Sequence, residues 1–394
     1  MLALINAKIN TITNGVIEKG IILTEEGKIK AVGTDIEIPG DSTIIDIQGK
    51  WVTPGIIDAH THLGVLEETI GWAGEDVNET TDPATPHIRA LDAINPMEQG
   101  FKDAYKGGVT TVQIMPGSAN VIGGEMSIVK TYGRVVEEMI VKELSGVKIA
   151  FGENPKRVYG EKKQMPSTRM GTAAVLREQL TKAKNYLQKK ESNNIDEKNK
   201  LETDLRMETL VKVIKKEIPV RAHAHRADDI ITAIRIAEEF DINLTLEHCT
   251  EGHLIADIIA QKGYSAAIGP TLSNRSKIEL EDKGWHTLIE LDKNNVPISI
   301  ITDHPVVPIE YLIVSAAIAV REGLSEESAW KALTINPAKH MGVDNRLGSI
   351  EQGKDADLVV WSGNPFDYRT KVEQTIINGN IIYNRNDELL QQSK

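Results

Sequence analysis

The spacing of hydrophobic positions along the chain changes near residue 53. Before that point, short β-branched segments alternate with turn residues, among them Asn14-Gly15, which is a strong turn signal. From about residue 344, Gly-rich turns and apolar segments of the same kind return. We predict that residues 1–53 and 344–394 together form one small domain, a β-sandwich built from both ends of the chain.

Between these ends, short apolar segments alternate with amphipathic ones. Apolar residues at i, i+3 and i+4 predict helices over 134–144, 227–240 and 250–261. The alternation predicts an α/β fold in which residues 54–343 form a TIM (β/α)8 barrel. The link between the second and third strands has only about a dozen residues, which is short for a helical crossover. The predicted strands cover residues 55–61, 108–114, 126–131, 147–151, 218–223, 243–248, 264–269 and 296–302.

A Lys- and Glu-rich stretch at residues 177–216 separates the fourth and fifth predicted strands. We interpret it as two solvated helices joined by a polar loop at 189–200. The alternative is a lid over a site at the barrel mouth.

Composition restricts the classes of partner. The formal net charge is −12, which argues against nucleic-acid binding because that requires a basic face. The single cysteine, Cys249, rules out an intramolecular disulfide and fits a reducing compartment. No run approaches the roughly 18 apolar residues of a membrane span. We therefore expect a cytoplasmic protein with a small-molecule substrate and no nucleic-acid or membrane partner; a homo-oligomer is possible.

Candidate metal ligands follow the ends of the predicted barrel strands. Because residues two apart on a strand point the same way, His60 and His62 should face one side together. The carboxyl ends of barrel strands meet on one face, where active sites form. His and carboxylate side chains bind one or two divalent metals, which activate water for hydrolysis. The other strand ends carry His223, His225, His248 and Asp303, and Asp303 is the candidate proton shuttle.

The motif Asp58-Ala59-His60-Thr61-His62 after a Pro-Gly turn, followed in order by His223, His248 and Asp303, resembles the amidohydrolase superfamily. Residues 334–361 resemble the closing segment of its imidazolonepropionase-like and related members. The resemblance implies a metal-dependent hydrolase of a linear or cyclic C–N amide bond. It implies zinc as the metal, with manganese or iron as alternatives, bound by His60, His62, His223, His248 and Asp303.

At two strands, the sequence offers more than one candidate metal ligand. Two-metal members of the superfamily often use a carbamylated lysine on the fourth strand, and Lys148 stands there, but Glu153 just beyond that strand is an alternative ligand. We favour Lys148. At the fifth strand we favour His223 as the ligand, with His225 contacting the substrate or polarising its carbonyl, although the two roles could be exchanged.

Substrate contacts are expected from loops at the same face. Asn120 lies in a Gly-rich loop, and Arg157, Arg169 and Arg226 follow strands four and five. An arginine would clamp a substrate carboxylate, as in an N-acyl amino acid, a dipeptide or a ring-amide acid.

Two alternative functions would use the same predicted barrel and metal ligands. Deaminase-like relatives carry a glutamate three residues after the strand-five histidine, where this chain has Arg226, so deamination of an amino-heterocycle is the less favoured alternative. A metal-binding barrel without activity is the third, and Asp303 argues against it. We interpret His286 and His340 as structural and His253 as exposed.

Overall fold

The computed structural model describes residues 1–68, 71–192 and 202–392, and its strands form two eight-stranded sheets. Gly15 has a positive φ of 76°, which glycine adopts without strain, and the turn there joins the first two strands into an antiparallel pair. The N-terminal strands of the first sheet are β1 (Leu2–Asn10), β2 (Val16–Glu25), β3 (Lys28–Gly33), β4 (Thr43–Asp46) and β5 (Trp51–Pro54).

The second sheet is a nearly closed barrel whose strands follow one another in chain order. They are β6 (Ile56–Thr61), β7 (Val109–Ile114), β8 (Ile122–Lys130), β9 (Ile140–Ala150), β10 (Val220–Ala224), β11 (Leu244–His248), β12 (Ala266–Ile268) and β13 (Ile298–Ile300). This confirms a TIM-like barrel. It departs from strict (β/α)8 order at β8, which runs antiparallel to both β7 and β9. The short connection before β8 leaves no room for a helical crossover, so the chain turns back as a hairpin.

The predicted helix over 134–144 is wrong. Only α2 (Val136–Met139) is helical, and the residues after it extend β9. Ile140 pairs with Val129 and Lys142 pairs with Ile128, so hydrogen bonding to β8 overrides the local helical spacing. The long β8–β9 hairpin replaces one helix of the barrel's outer layer.

The remaining helices pack around the barrel. The prediction over 227–240 is confirmed by α6, which buries Ile230, Ile234 and Ala237 on one face. Within the ranges described, no helix has both the length and the apolar character needed to cross a membrane. The helices are α1 (Gln99–Lys106), α3 (Glu153–Glu161), α4 (Arg169–Glu191), α5 (Leu205–Ile214), α6 (Ala227–Phe240), α7 (Ala256–Lys262), α8 (His286–Lys293), α9 (Leu312–Arg321), α10 (Glu326–Leu333), α11 (Ile335–Met341) and α12 (Arg385–Gln392).

The Lys- and Glu-rich stretch contains two helices, as expected. Helices α4 and α5 pack against each other, and their first turns are capped by Thr168 and Asp204. Most of the loop predicted at 189–200 lies outside the described residues, and the lid alternative stays a prediction.

Three strands from the end of the chain complete the first sheet: β14 (Leu358–Trp361), β15 (Val372–Ile377) and β16 (Asn380–Asn384). Strand β14 pairs with β5, so both ends of the chain share one sheet. The buried Trp361 Nε1 donates a hydrogen bond of 2.9 Å to Thr53 Oγ1 across this pair. A second layer, which a β-sandwich requires, is not confirmed, and the boundaries of the small domain remain a prediction.

Asp58 joins the first barrel strand to the segment that follows the last one. Its buried Oδ2 accepts hydrogen bonds from the Thr302 backbone N–H at 3.1 Å and from the Thr302 hydroxyl at 2.5 Å. The Asp303 N–H then donates to the His60 carbonyl at 3.1 Å. Burial raises the pKa of Asp58 to about 6. The hydrogen bonds from Thr302 hold the segment that carries Asp303 against β6. They therefore set the position of Asp303 relative to His60 and His62.

Candidate active site

Six side chains predicted as metal ligands or catalytic groups converge at the carboxyl ends of the barrel strands. They fall into two groups, in each of which the potential ligand atoms lie within 4.8 Å of one another. The rings of His60 and His248 connect the groups, with centroids 4.5 Å apart. The first group is His60, His62 and Asp303, and the second is His223, His225 and His248.

Asp303 is central to the first group. Its Oδ1 lies 3.3 Å from His60 Nε2 and 3.2 Å from His62 Nε2. Asp303 and His248 also have positive φ angles of 54° and 68°. Such backbone conformations are uncommon outside glycine and cluster at functional sites.

Backbone carbonyls fix the orientation of two histidines. His62 Nδ1 lies 2.8 Å from the Met115 carbonyl oxygen, and His248 Nδ1 lies 2.7 Å from that of Gly269. Because a carbonyl can only accept, each Nδ1 carries a proton and each Nε2 turns inward. Burial lowers the pKa of His62 and brings that of His248 to about 3, so both rings are neutral and offer a lone pair.

The lone pair of His62 thus faces a carboxylate oxygen at 3.2 Å, an arrangement that a cation between them stabilises. The surrounding donors are imidazole nitrogens and a carboxylate, the set that zinc and related divalent ions prefer. The residues present therefore fit a divalent metal.

His223 and His225 differ in their partners. Both are buried, and burial lowers both pKa values well below the usual range. His225 Nδ1 lies 2.8 Å from the Thr250 hydroxyl, whereas neither ring nitrogen of His223 has a hydrogen-bond partner among the described residues. A buried imidazole without a protein partner suits metal ligation, which supports His223 as the ligand.

Lys148 and Glu153 occupy different surroundings. Lys148 is fully buried on β9, with Nζ 3.2 Å from His60 Nε2 and 3.0 Å from the Met115 sulfur. Burial lowers the pKa of Lys148 to about 8. Glu153 begins α3, belongs to neither ligand group, and its backbone N–H donates to Glu279. Lys148 is thus the strand-four residue that lies against the histidines.

Glu247 is a site residue that the sequence analysis missed. Its fully buried carboxylate lies 2.9 Å from His60 Nδ1 and 2.8 Å from His340 Nε2. Burial would raise its pKa, but His340 and His60 hold it well below the usual range. Such a carboxylate orients a metal-binding histidine and raises its basicity. The available signal was its carboxylate, the only acidic group in the predicted strand at 243–248.

The three predicted arginines share a cavity of about 570 Å³. Glu279 also lines this cavity, and its Oε1 lies 3.8 Å from His225 Nε2, so the cavity reaches towards the histidines. Arg169 donates to Asp229 and Arg226 to Asp228, while Arg157 lies 3.8 Å from Glu161. The other lining residues are Glu153, Lys156, Gly160, Glu161 and Ile278.

Asn120 makes contacts of another kind. Its side-chain amide donates to the Glu79 carbonyl at 2.7 Å and to the Thr85 hydroxyl at 2.9 Å, and it accepts from the Tyr159 hydroxyl at 2.6 Å. It is buried and is not among the residues that line the arginine cavity. These contacts hold the loop after β7 against its neighbours.

The mouth of the barrel, with its histidines, aspartate and lysine, offers candidate ligands for a divalent metal, as hydrolases with a metal site do. A model of the amidohydrolase family matches residues 51–382. The chain belongs to the amidohydrolase family. This membership supports a hydrolase that acts on carbon–nitrogen bonds.

Similar proteins agree with this assignment. A solved structure of an amidohydrolase from Thermotoga maritima MSB8 has 51% sequence identity and a TM-score of 0.95, covering 98% of this chain and 100% of that one. An imidazolonepropionase of Klebsiella pneumoniae (strain 342) is 24% identical over 373 residues, 88% of this chain and 87% of that protein. The amidohydrolase tasK of Hapsidospora irregularis is 29% identical over 390 residues, 92% of this chain. The match spans only 39% of that longer protein.

Proposed function

We propose that this chain hydrolyses the amide C–N bond, linear or cyclic, of a small anionic substrate. The observation that carries the proposal is the convergence of His60, His62, His223, His248 and Asp303, with Lys148 beside them. These residues would hold one or two divalent ions, with zinc the first candidate and manganese or iron the alternatives. When bound, the metal supplies a Lewis acid that polarises the substrate carbonyl and activates water.

Asp303 is the proposed proton shuttle. It is the only carboxylate in the two ligand groups at the barrel mouth, so it is the group there that can accept a proton from the attacking water. Its Oδ1 lies close to the Nε2 atoms of His60 and His62, so Asp303 would stand beside a metal that these residues hold. The same carboxyl group would then pass the proton to the leaving nitrogen.

His225 is the proposed contact to the reacting carbonyl. The Thr250 hydroxyl lies against its Nδ1, which leaves Nε2 directed towards Glu279 and the cavity. If the hydroxyl donates to Nδ1, Nε2 carries the proton and can donate to the oxyanion as it forms. His225 would thereby stabilise charge that develops only in the transition state.

Lys148 is the proposed strand-four ligand, as a carbamate. Carbamate formation needs a neutral amine, and burial lowers the pKa of this lysine to about 8. An ordinary lysine, with a pKa near 10.4, would be neutral far less often at pH 7. The closeness of Nζ to His60 Nε2, 3.2 Å, supports this role. Glu153, on the cavity wall, is the weaker candidate.

The cavity supports a substrate with a free carboxylate. Its lining has four basic side chains, Lys156, Arg157, Arg169 and Arg226, against three acidic ones. Arg157 has the longest ion-pair contact of the three arginines and is the one most able to turn towards a ligand. N-acyl amino acids, dipeptides and ring-amide acids are the substrate classes this favours. We also propose that the protein is cytoplasmic.

The test is a screen of these three classes for release of an amine, with the zinc- and manganese-loaded protein. Asp303→Asn, with metal content measured in parallel, is the matched variant. We expect activity in the wild type, and a loss of at least about 100-fold in Asp303→Asn in a preparation that retains metal. Arg157→Ala should raise KM for acidic substrates and leave amidated analogues unaffected.

Other outcomes would refute the proposal in identifiable ways. Release of ammonia from amino-heterocycles, with no amide hydrolysis, would establish deamination. A fully metal-loaded protein without activity on any of these classes would indicate the metal-binding barrel. If the metal-free protein binds no divalent ion, neither metal-dependent amide hydrolysis nor metal-dependent deamination can be its function.

A further inference from the structure

We propose a second divalent metal site, of the kind that binds Zn²⁺, formed by His253, Asp282 and His286. One potential ligand atom from each of the three residues lies within 4.8 Å of the other two. His253 Nε2 is 2.9 Å from Asp282 Oδ2, and His286 Nε2 is 3.6 Å from Asp282 Oδ1. None of these residues belongs to the barrel-mouth groups. The site does not depend on the hydrolytic function proposed above.

A chain of hydrogen bonds fixes the protonation of His253. The Thr287 hydroxyl donates its only proton to the Thr250 carbonyl at 2.8 Å. Its oxygen lies 3.1 Å from His253 Nδ1 and can therefore only accept there. Nδ1 of His253 must carry a proton. Nε2, which faces the Asp282 carboxylate, then either holds a second proton or presents a bare lone pair, and a lone pair so close to a carboxylate oxygen requires a cation.

The position of His286 favours a metal over a second proton. One proton would satisfy a single His253–Asp282 pair, but a second imidazole also approaches the same carboxylate. The two rings lie edge to face, with centroids 4.4 Å apart. Tetrahedral zinc with bonds of about 2.0–2.1 Å holds its ligand atoms about 3.3 Å apart. Each imidazole nitrogen lies near that distance from one oxygen of Asp282, His253 Nε2 at 2.9 Å from Oδ2 and His286 Nε2 at 3.6 Å from Oδ1.

Access and anchoring also suit a metal. Half of the His286 and Asp282 side-chain surface is exposed, whereas His253 is largely buried. An ion could thus enter from solvent, keep a water molecule in its fourth position, and be held by a ligand that Thr287 orients. A histidine whose second nitrogen donates to a fixed acceptor is the arrangement found around metal-bound imidazole.

The proposed site would join separate parts of the barrel's outer layer. His253 follows β11, Asp282 lies in the segment after β12, and His286 begins α8. The Asp282 segment also carries Glu279, which lines the arginine cavity near His225. Bound zinc would therefore fix one wall of that cavity.

Zinc binding to the full-length protein tests the proposal. Wild type, Asp282→Asn and His286→Gln are dialysed against the same buffered free Zn²⁺, and bound zinc is measured by elemental analysis. We expect each variant to bind one equivalent fewer than wild type. Asp257→Asn, which changes an exposed aspartate at the start of the nearby α7, is the matched control and should bind as wild type does.

A second readout separates loss of the site from loss of folding. Added Zn²⁺ should raise the unfolding midpoint of wild type more than that of either variant, and circular dichroism should show all four proteins folded. Equal zinc content in wild type, Asp282→Asn and His286→Gln would overturn the proposal.

Discussion

Replacing Glu247 by Gln should weaken metal binding at the barrel mouth without removing any metal ligand. The carboxylate accepts from His60 Nδ1 at 2.9 Å and contacts His340 Nε2 at 2.8 Å. Glutamine keeps the shape and one acceptor oxygen for His60. His340 can adapt, because Ser265 Oγ lies 2.8 Å from its Nδ1 and can accept a hydrogen bond from a protonated Nδ1. The main loss is the negative charge that makes His60 a stronger ligand.

The magnitude follows from that loss. Carboxylates behind a metal-binding histidine contribute about 10- to 100-fold to metal affinity, or about 1.4–2.7 kcal/mol. Burial lowers the pKa of the Arg221 guanidinium to about 10, and the Glu247 charge opposes this shift. Losing this charge should also destabilise the metal-free protein, because it leaves the buried guanidinium without a nearby carboxylate.

The assay is competition for Zn²⁺ against a chelator of known affinity, run on folded protein as checked by circular dichroism. His340→Gln is the matched control, because it removes one contact of the same carboxylate and leaves the contact with His60. We expect a 10- to 100-fold loss of affinity in Glu247→Gln and a clearly smaller loss in the control. Equal affinities in wild type and Glu247→Gln would refute the reasoning.

Three further outcomes are expected. Lys148→Met should lower the metal content measured by elemental analysis, and that content should no longer depend on bicarbonate, the source of the proposed carbamate. Glu153→Gln should leave both properties unchanged. The reverse pattern would make Glu153 the ligand. Burial would raise the pKa of Asp355, but charges led by Lys130 hold it at about 2, below the unfolded value of about 3.9. The resulting stability of about 1–2 kcal/mol, allowing for screening, is therefore present above pH 4 and lost towards pH 2. Urea unfolding of Asp355→Asn should show a flatter acid slope than wild type. Burial raises the pKa of the Cys249 thiol to about 12, so a thiol reagent at pH 8 should label it only as urea unfolds the protein, and rapid labelling of the native state would contradict its burial.

The sequence by itself determined the TIM-like barrel and the direction of its main candidate ligands. The two-residue period of a strand turns His60 and His62 the same way, and apolar segments ending in His223 and His248 mark the carboxyl ends of other strands. These are local properties, readable from residues that are neighbours in the chain. The order of these motifs along the chain was also enough to suggest the family.

Only the tertiary structure decided which distant residues meet. Residues 134–144 have a helical pattern, yet residues 140–144 lie in β9 because β8 offers them hydrogen-bond partners. Glu247 contacts His60, and His253 contacts Asp282, across sequence separations that no local pattern encodes. Periodicity fixes the side of an element on which a residue lies, whereas hydrogen bonding and charge pairing depend on which elements the closed barrel brings side by side.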